Sequence, residues 1–394
     1  MPTVYEIALQ KHKEWKGKIS TTLKAPITNR EELSLAYTPG VAEPCRKIHE
    51  NKEDVYLYTW KGNTVAVITD GTAVLGLGDI GPEAGLPVME GKCGLFKAFA
   101  DVDAVPICLD TKDTEEIIRI CKAIAPGFGG FNLEDISAPR CVEIERRLIQ
   151  ELDIPVFHDD QHGTAIVVTG GLINSLKLVN KKAEDVKVIV SGVGAAGSSI
   201  INMLYALGIR KIYGYNRAGV LNRDDMDSYD FLSKELALIT NPENSRKTMA
   251  EQFEGADVFI GVSAPKIVTV EMIKSMNKDA IVFAMANPEP EISYADAIAG
   301  GAKIVGTGRS DFPNQVNNVL AFPGLFRGAL DCRARKITDE MKMAAAVGIA
   351  SLIEEKDLTP EYVIPSPFDP RVAKKVAEEV KKVAIATGIA RLID

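Results

Sequence analysis

Three consecutive pieces of this chain restrict its fold more than any others: the run 186–191 (Val-Lys-Val-Ile-Val-Ser), the turn Gly192-Val193-Gly194-Ala195-Ala196-Gly197, and the run 198–207, closed by Gly208. A short β-branched run leads into the glycines, and an apolar run of helical spacing leads out. GxGxxG alone is a weak signal, because glycine turns are common. A strand before it and a helix after it give it meaning. In that setting Gly192 makes the tight turn, Gly194 lets the backbone approach a pyrophosphate, and Gly197 allows close helix–strand packing. The helix start at Ala195 and Ala196 then turns unpaired N–H groups toward the phosphates.

The surrounding pattern agrees. Short apolar strands are expected at 211–215, 257–261, 280–284 and 303–305, alternating with helical segments. This predicts a parallel sheet covered on both faces. Upstream the pattern is mixed, with strands at 64–69, 104–109 and 154–157 and helices at 114–125 and 141–152; helices at 338–355 and 370–392 close the chain. The expected fold class is α/β in two units, and 394 residues at 46% hydrophobic content suffice for two cores. Residues 1–160 form a mixed α/β catalytic unit. Residues 161–394 form a Rossmann-type doubly wound parallel sheet with C-terminal helices. An acid to hold the ribose 2′-hydroxyl is missing after the second strand, which ends in Asn216-Arg217. That pair tolerates a 2′-phosphate and leans toward NADP, although a solvated arginine explains Arg217 equally well.

Two acidic pairs precede the fingerprint, Glu134-Asp135 and Asp159-Asp160. Adjacent carboxylates repel each other, so convergence of the pairs calls for a hard divalent cation. Glu134, Asp135 and Asp160 offer an oxygen-only ligand set that suits Mg²⁺ or Mn²⁺. Taken alone, Glu134-Asp135 reads better as a solvated loop or a cap before Ser137. Lys92 sits between glycines in Glu90-Gly91-Lys92-Cys93-Gly94. In poor solvent beside a metal its pKa is expected to fall, making it a base that Asp159 could orient. Tyr37, beside a turn at Pro39-Gly40, is either a proton donor or a half-buried structural tyrosine. Asn287 and Asn318 are neutral amides placed to hold a substrate carboxylate at a strand edge, or else turn residues. His158 and His162 flank the acidic pair and read as structural.

A net charge of −8 argues against a nucleic-acid partner, which needs a basic footprint. It also means that an anionic substrate must be captured by local groups. No run approaches the ~18 apolar residues of a membrane span, and the first 19 residues lack a signal peptide's apolar stretch. Six scattered cysteines with no CxxC read as reduced thiols, so the expected location is the cytoplasm, without membrane association.

In order along the chain, Ser34-Leu-Ala-Tyr-Thr-Pro-Gly-Val-Ala42, Leu75-Gly-Leu-Gly-Asp79, Glu90-Gly-Lys92, Asn132-Leu-Glu-Asp135, Asp159-Asp-Gln-His-Gly-Thr164, Asn287-Pro288 and Asn318-Val319 resemble the malic enzyme family. The resemblance covers most of the chain and is similar in length to the short prokaryotic type. It implies a homodimer that converts L-malate to pyruvate and CO₂ with a divalent metal and NAD or NADP. It implies Tyr37 as general acid and Lys92 as general base supported by Asp159. The metal ligands would be Glu134, Asp135 and Asp160, and the substrate contacts Asn287 and Asn318. One departure stands out. Larger members carry an arginine three residues before Gly76, where this chain has Ala73.

Three rival readings remain open at this level. A malolactic-type enzyme would keep NAD bound and release lactate. An amino-acid dehydrogenase pairs a lysine-bearing first unit with a Rossmann second unit but needs no metal. A catalytically dead nucleotide sensor would be expected to have lost a catalytic group, and here Tyr37, Lys92 and all the carboxylates are present.

Overall fold

The computed structural model describes residues 3–393; Met1, Pro2 and Asp394, at the ends of the two expected units, lie outside the described residues. Two parallel sheets organise the chain. The first has the order β2-β1-β3-β4, with β1 Thr64–Thr69, β2 Asp103–Cys108, β3 Gly130–Leu133 and β4 Val156–His158. The central β1 is buried along its whole length, which is why Thr-Val-Ala-Val-Ile-Thr carries no charged residue and does not alternate.

The second sheet contains β5 Lys187–Ser191, β6 Lys211–Asn216, β7 Gly219–Val220, β8 Val258–Gly261, β9 Ile281–Ala284 and β10 Ile304–Thr307. Its order is β10-β9-β8-β5-β6-β7, parallel except for the antiparallel β7. β5 leads to β6 on one side, and the chain then crosses back to β8 on the other. This reversal is the topological switch point, and ligands bind outside the carboxyl ends of the strands there. The doubly wound sheet expected from the sequence is present.

Among the elements that the sequence pattern missed are β3, the helix Pro82–Ala100 that carries Lys92, and the helix Asp159–Leu178. The last is buried on nearly every side, so its apolar residues show no amphipathic period. Asp159 and Asp160 open it directly after β4, and it carries the chain from the first sheet to the second. The helix Phe322–Asp331, which follows the second sheet, turns back onto the first sheet's side. Phe322 and Phe326 pack edge-on against Phe96, at ring-centroid distances of 4.7 and 5.3 Å, and Phe326 also meets Phe157 at 5.9 Å. One continuous core therefore links the two sheets. Among the described residues no helix is long and apolar enough to cross a membrane.

Candidate active site

A cleft of about 1250 Å³ runs between the carboxyl ends of both sheets. Lys92 lies at its base, buried, on the helix Pro82–Ala100. Its Nζ is 2.5 Å from Asp159 Oδ2 and 2.9 Å from Glu134 Oε1. The ammonium also sits 4.2 Å from the centre of the Phe322 ring, a cation–π contact. The expectation of a lowered lysine pKa is not met in this arrangement. Burial alone would depress it, but the charges of Asp159 and Glu134 outweigh burial and hold it above the usual lysine range.

Glu134 and Asp135 follow β3, and Asp160 is the second residue of the helix after β4. Since β3 and β4 are hydrogen-bonded neighbours, the two acidic pairs meet at one sheet edge. Glu134, Asp135 and Asp160 each offer an oxygen within 4.8 Å of the others. Asp135 adopts a positive φ of 53°, and its N–H donates to Asp160 Oδ2 at 2.7 Å. Burial and mutual repulsion push Glu134 up to about 7, Asp135 to about 8 and Asp160 to about 6. Asp159, raised chiefly by burial, reaches about 7. Four carboxylates thus face a single ammonium. Asp135 Oδ2 is buried and has no hydrogen-bond partner among the described residues. An orphaned carboxylate oxygen in an oxygen-only cluster with surplus negative charge fits a hard divalent cation.

At the other end of the cleft lies the glycine turn. Gly192 has a φ of 95°, and a Cβ there would lie 2.6 Å from the carbonyl oxygen of Val262. A Cβ on Gly197 would stand 1.8 Å from the Gly192 carbonyl, which is the close helix–strand packing anticipated above. Above Gly194 the space is open for at least 4 Å. Ala195 and Ala196 open the helix Ala195–Ala206 and line the cleft. These features fit a dinucleotide pyrophosphate. Asn216, at the end of β6, spends its side-chain oxygen on the N–H groups of Ala218 and Gly219, and Arg217 is exposed.

Residues 16–149 match the family model of the malic enzyme N-terminal domain, and residues 161–385 match that of the malic enzyme NAD binding domain. The chain belongs to the malic enzyme family. It is 58% identical over 375 residues to the NAD-dependent malic enzyme of Geobacillus stearothermophilus, covering 95% of this chain and 78% of that one. It is 56% identical to the bifunctional malic/malolactic enzyme of Bacillus subtilis, covering 98% and 94%. A crystal structure of malic enzyme from Pyrococcus horikoshii superposes with a TM-score of 0.95 at 48% identity, covering 100% of this chain and 93% of that one.

In this malic enzyme family member the remaining expected site residues fall in different places. Asn318 opens a short 3₁₀ turn, and its Nδ2 donates to Asp159 Oδ2, the oxygen that also holds Lys92. Asn287 lies three residues beyond β9, exposed, at a cis Asn287–Pro288 bond on the cleft wall. Tyr37 is not brought to the cleft. It caps the helix Arg30–Ala36, is 66% exposed and does not line the cavity. His158 and His162 are both engaged through their side chains. His158 caps the acidic helix through Nδ1. His162 bridges Glu145 at 2.8 Å and Ser199, on the fingerprint helix, at 2.7 Å.

Two supporting groups of this malic enzyme family member had no signal in the sequence. Glu291 is fully buried, and its carboxylate accepts the N–H groups of Ser263 at 2.8 Å and Ala286 at 3.0 Å. It therefore ties together the loops after β8 and β9. Asp70, buried after β1, pairs with Arg140 at 2.7 Å and accepts from Thr72. Thr72 Oγ1 in turn accepts the N–H of Ser137, and Ala73 N–H donates to the Asp135 carbonyl. The Glu134-Asp135 turn is fixed from behind by these bonds.

Proposed function

We propose that this chain oxidatively decarboxylates L-malate to pyruvate and CO₂, reducing NAD or NADP, with a divalent cation held by Glu134, Asp135 and Asp160. The observation that carries the reading is the contact of Lys92 with Asp159 and Glu134 beside the acidic trio, in one cleft with the glycine turn. Residues 1–160 supply the acid–base and metal groups, and residues 161–394 the dinucleotide site. When bound, Mg²⁺ or Mn²⁺ supplies positive charge at the C2 oxygen of the acid.

Lys92 must shed a proton before it can accept one. Asp159, hydrogen-bonded to Nζ, is the adjacent carboxylate that would take it. Neutral Lys92 then takes the C2 hydroxyl proton as hydride leaves C2 for the nicotinamide, which gives oxaloacetate. Its C3–C4 bond breaks, CO₂ departs, and the electron pair enters the enolate of pyruvate. Tyr37 protonates C3. Since Tyr37 is exposed away from the cleft, we assign its delivery to a second copy of the chain. Leu35, Leu57, Tyr58 and Trp60, also in the N-terminal region, are exposed apolar side chains that a homodimer contact would cover.

Arg217, exposed beside Asn216, accommodates the 2′-phosphate of NADP. The G. stearothermophilus relative is named for NAD, so both cofactors belong in the assay. Absorbance at the reduced-nicotinamide band, with L-malate and Mn²⁺ or EDTA, tests the proposal. Metal-dependent reduction with pyruvate as product supports it, and none with either cofactor refutes it. The name of the B. subtilis relative favours one second reading, a malolactic activity. Lactate formed without accumulating NADH identifies that case.

A further inference from the structure

Four basic side chains line the cleft among the described residues: His12, Lys18, Lys92 and Arg309. Three are engaged. Lys92 is held by Asp159 and Glu134, Arg309 is clasped by both oxygens of Asp311, and His12 Nδ1 lies 2.7 Å from the Ala8 carbonyl of its own helix. Lys18 stands apart. Among the described residues its one side-chain hydrogen bond is from Nζ to the Pro87 carbonyl oxygen at 2.6 Å, and the charge of Glu90 acts on it without bonding it. An ammonium carries three donors, so two remain for a ligand.

The backbone beneath Lys18 is fixed while its tip is free. Glu90 Oε2 accepts the Lys18 N–H at 3.0 Å, and Gly17, with φ of 117°, lies against the same carboxylate. The ammonium rests over the helix that carries Lys92. A Cβ on Gly91 would stand 3.5 Å from Lys18 Nζ, so the glycine leaves room for it one residue before the buried base. Ala73, on the same cleft, brings no charge. The Lys92 ammonium is already paired with Asp159 and Glu134, so it leaves no unpaired charge for a second anionic group.

We propose that Lys18 is the subsite for the distal carboxylate of a four-carbon dicarboxylic acid, the end remote from the C2 hydroxyl. This assignment rests on the malate-oxidising reading. A lysine is a compact point charge on a flexible stem, not a planar fork. The subsite therefore selects for a second negative charge and is lenient toward its exact position.

Calorimetric titration of the full-length protein with L-malate and with oxalate, in the presence of Mn²⁺, tests this. Oxalate presents only the end nearest the acidic trio. Lys18→Ala should weaken L-malate binding by roughly tenfold to a hundredfold, the range for a charge-assisted hydrogen bond, and leave oxalate binding unchanged. Lys18→Arg should restore most of the loss. Unchanged L-malate affinity in Lys18→Ala overturns the assignment. So does an equal loss for both ligands, which marks a structural role. If wild type binds L-malate in a Lys18-dependent way but forms no reduced cofactor, the oxidative reading falls and the subsite stands.

Discussion

Lys92 and Asn318 both contact a single oxygen, Oδ2 of Asp159, from opposite ends of the chain. Asp159 is fully buried, and its other oxygen has no partner. The carboxylate therefore aims the lysine and fixes the position of its ammonium.

Replacing the lysine should remove that chemistry. Lys92→Ala is expected to lower kcat by about 10²–10⁴-fold, the usual contribution of a general base. Asp159→Asn keeps a hydrogen-bond acceptor at Nζ but cannot take the proton, so it should also slow turnover. Steady-state rates with L-malate and Mn²⁺ check both, and near-normal turnover in Lys92→Ala would sink the base assignment.

The acidic trio makes a pH prediction. Glu134, Asp135 and Asp160 are raised to about 7, 8 and 6, chiefly by burial, from ordinary values near 4. Between about pH 4 and 8 the folded chain then holds more protons at these sites than the unfolded chain. Their contribution to stability is present at the low end and is lost as pH rises through the folded values. With EDTA present, melting temperatures of wild type should fall relative to those of Asp135→Asn as pH rises from 5 to 8. Mn²⁺ should raise the wild-type melting temperature more at pH 8 than at pH 5, because protons compete for the same oxygens. A larger metal effect at pH 5 would contradict the ligand assignment.

Two fingerprint glycines should fail differently. At Gly197 a methyl group meets the Gly192 carbonyl at 1.8 Å, so Gly197→Ala must displace backbone and should destabilise the fold. At Gly194 a methyl group meets nothing, so Gly194→Ala should melt like wild type and yet bind NAD or NADP more weakly. Melting curves and cofactor titration separate the two effects.

Tyr37 gives a complementation experiment. Tyr37→Phe and Lys92→Ala chains should each be nearly inactive. If Tyr37 serves the neighbouring copy, random mixing makes half the dimers mixed, each with one complete site, and should restore about a quarter of wild-type activity. No recovery on mixing would place Tyr37 in its own subunit's cleft.

The sequence revealed this site unevenly. Local rules sufficed for the fingerprint, because strand, glycine turn and helix are contiguous. Glu134, Asp135 and Asp160 were legible because like charges side by side invite a shared counter-ion. Glu291 was not, because its partners are backbone N–H groups of two other loops, which no residue type announces. The direction of the Lys92 shift was missed for a related reason: a glycine-flanked lysine shows its burial but not the number of carboxylates around it. The helix Asp159–Leu178 was hidden by its own burial.

That helix joins the two sheets without a hinge. It begins with the acidic pair, and four residues in, His162 is bonded to Ser199 of the fingerprint helix. One inserted residue would turn everything before it by about 100° relative to everything after. The joint is thus phase-locked in a way that a flexible linker is not. Chimaeras between relatives should work when the crossover preserves the residue count of the helix from Asp160 to Leu178, and fail when it shifts that count by one.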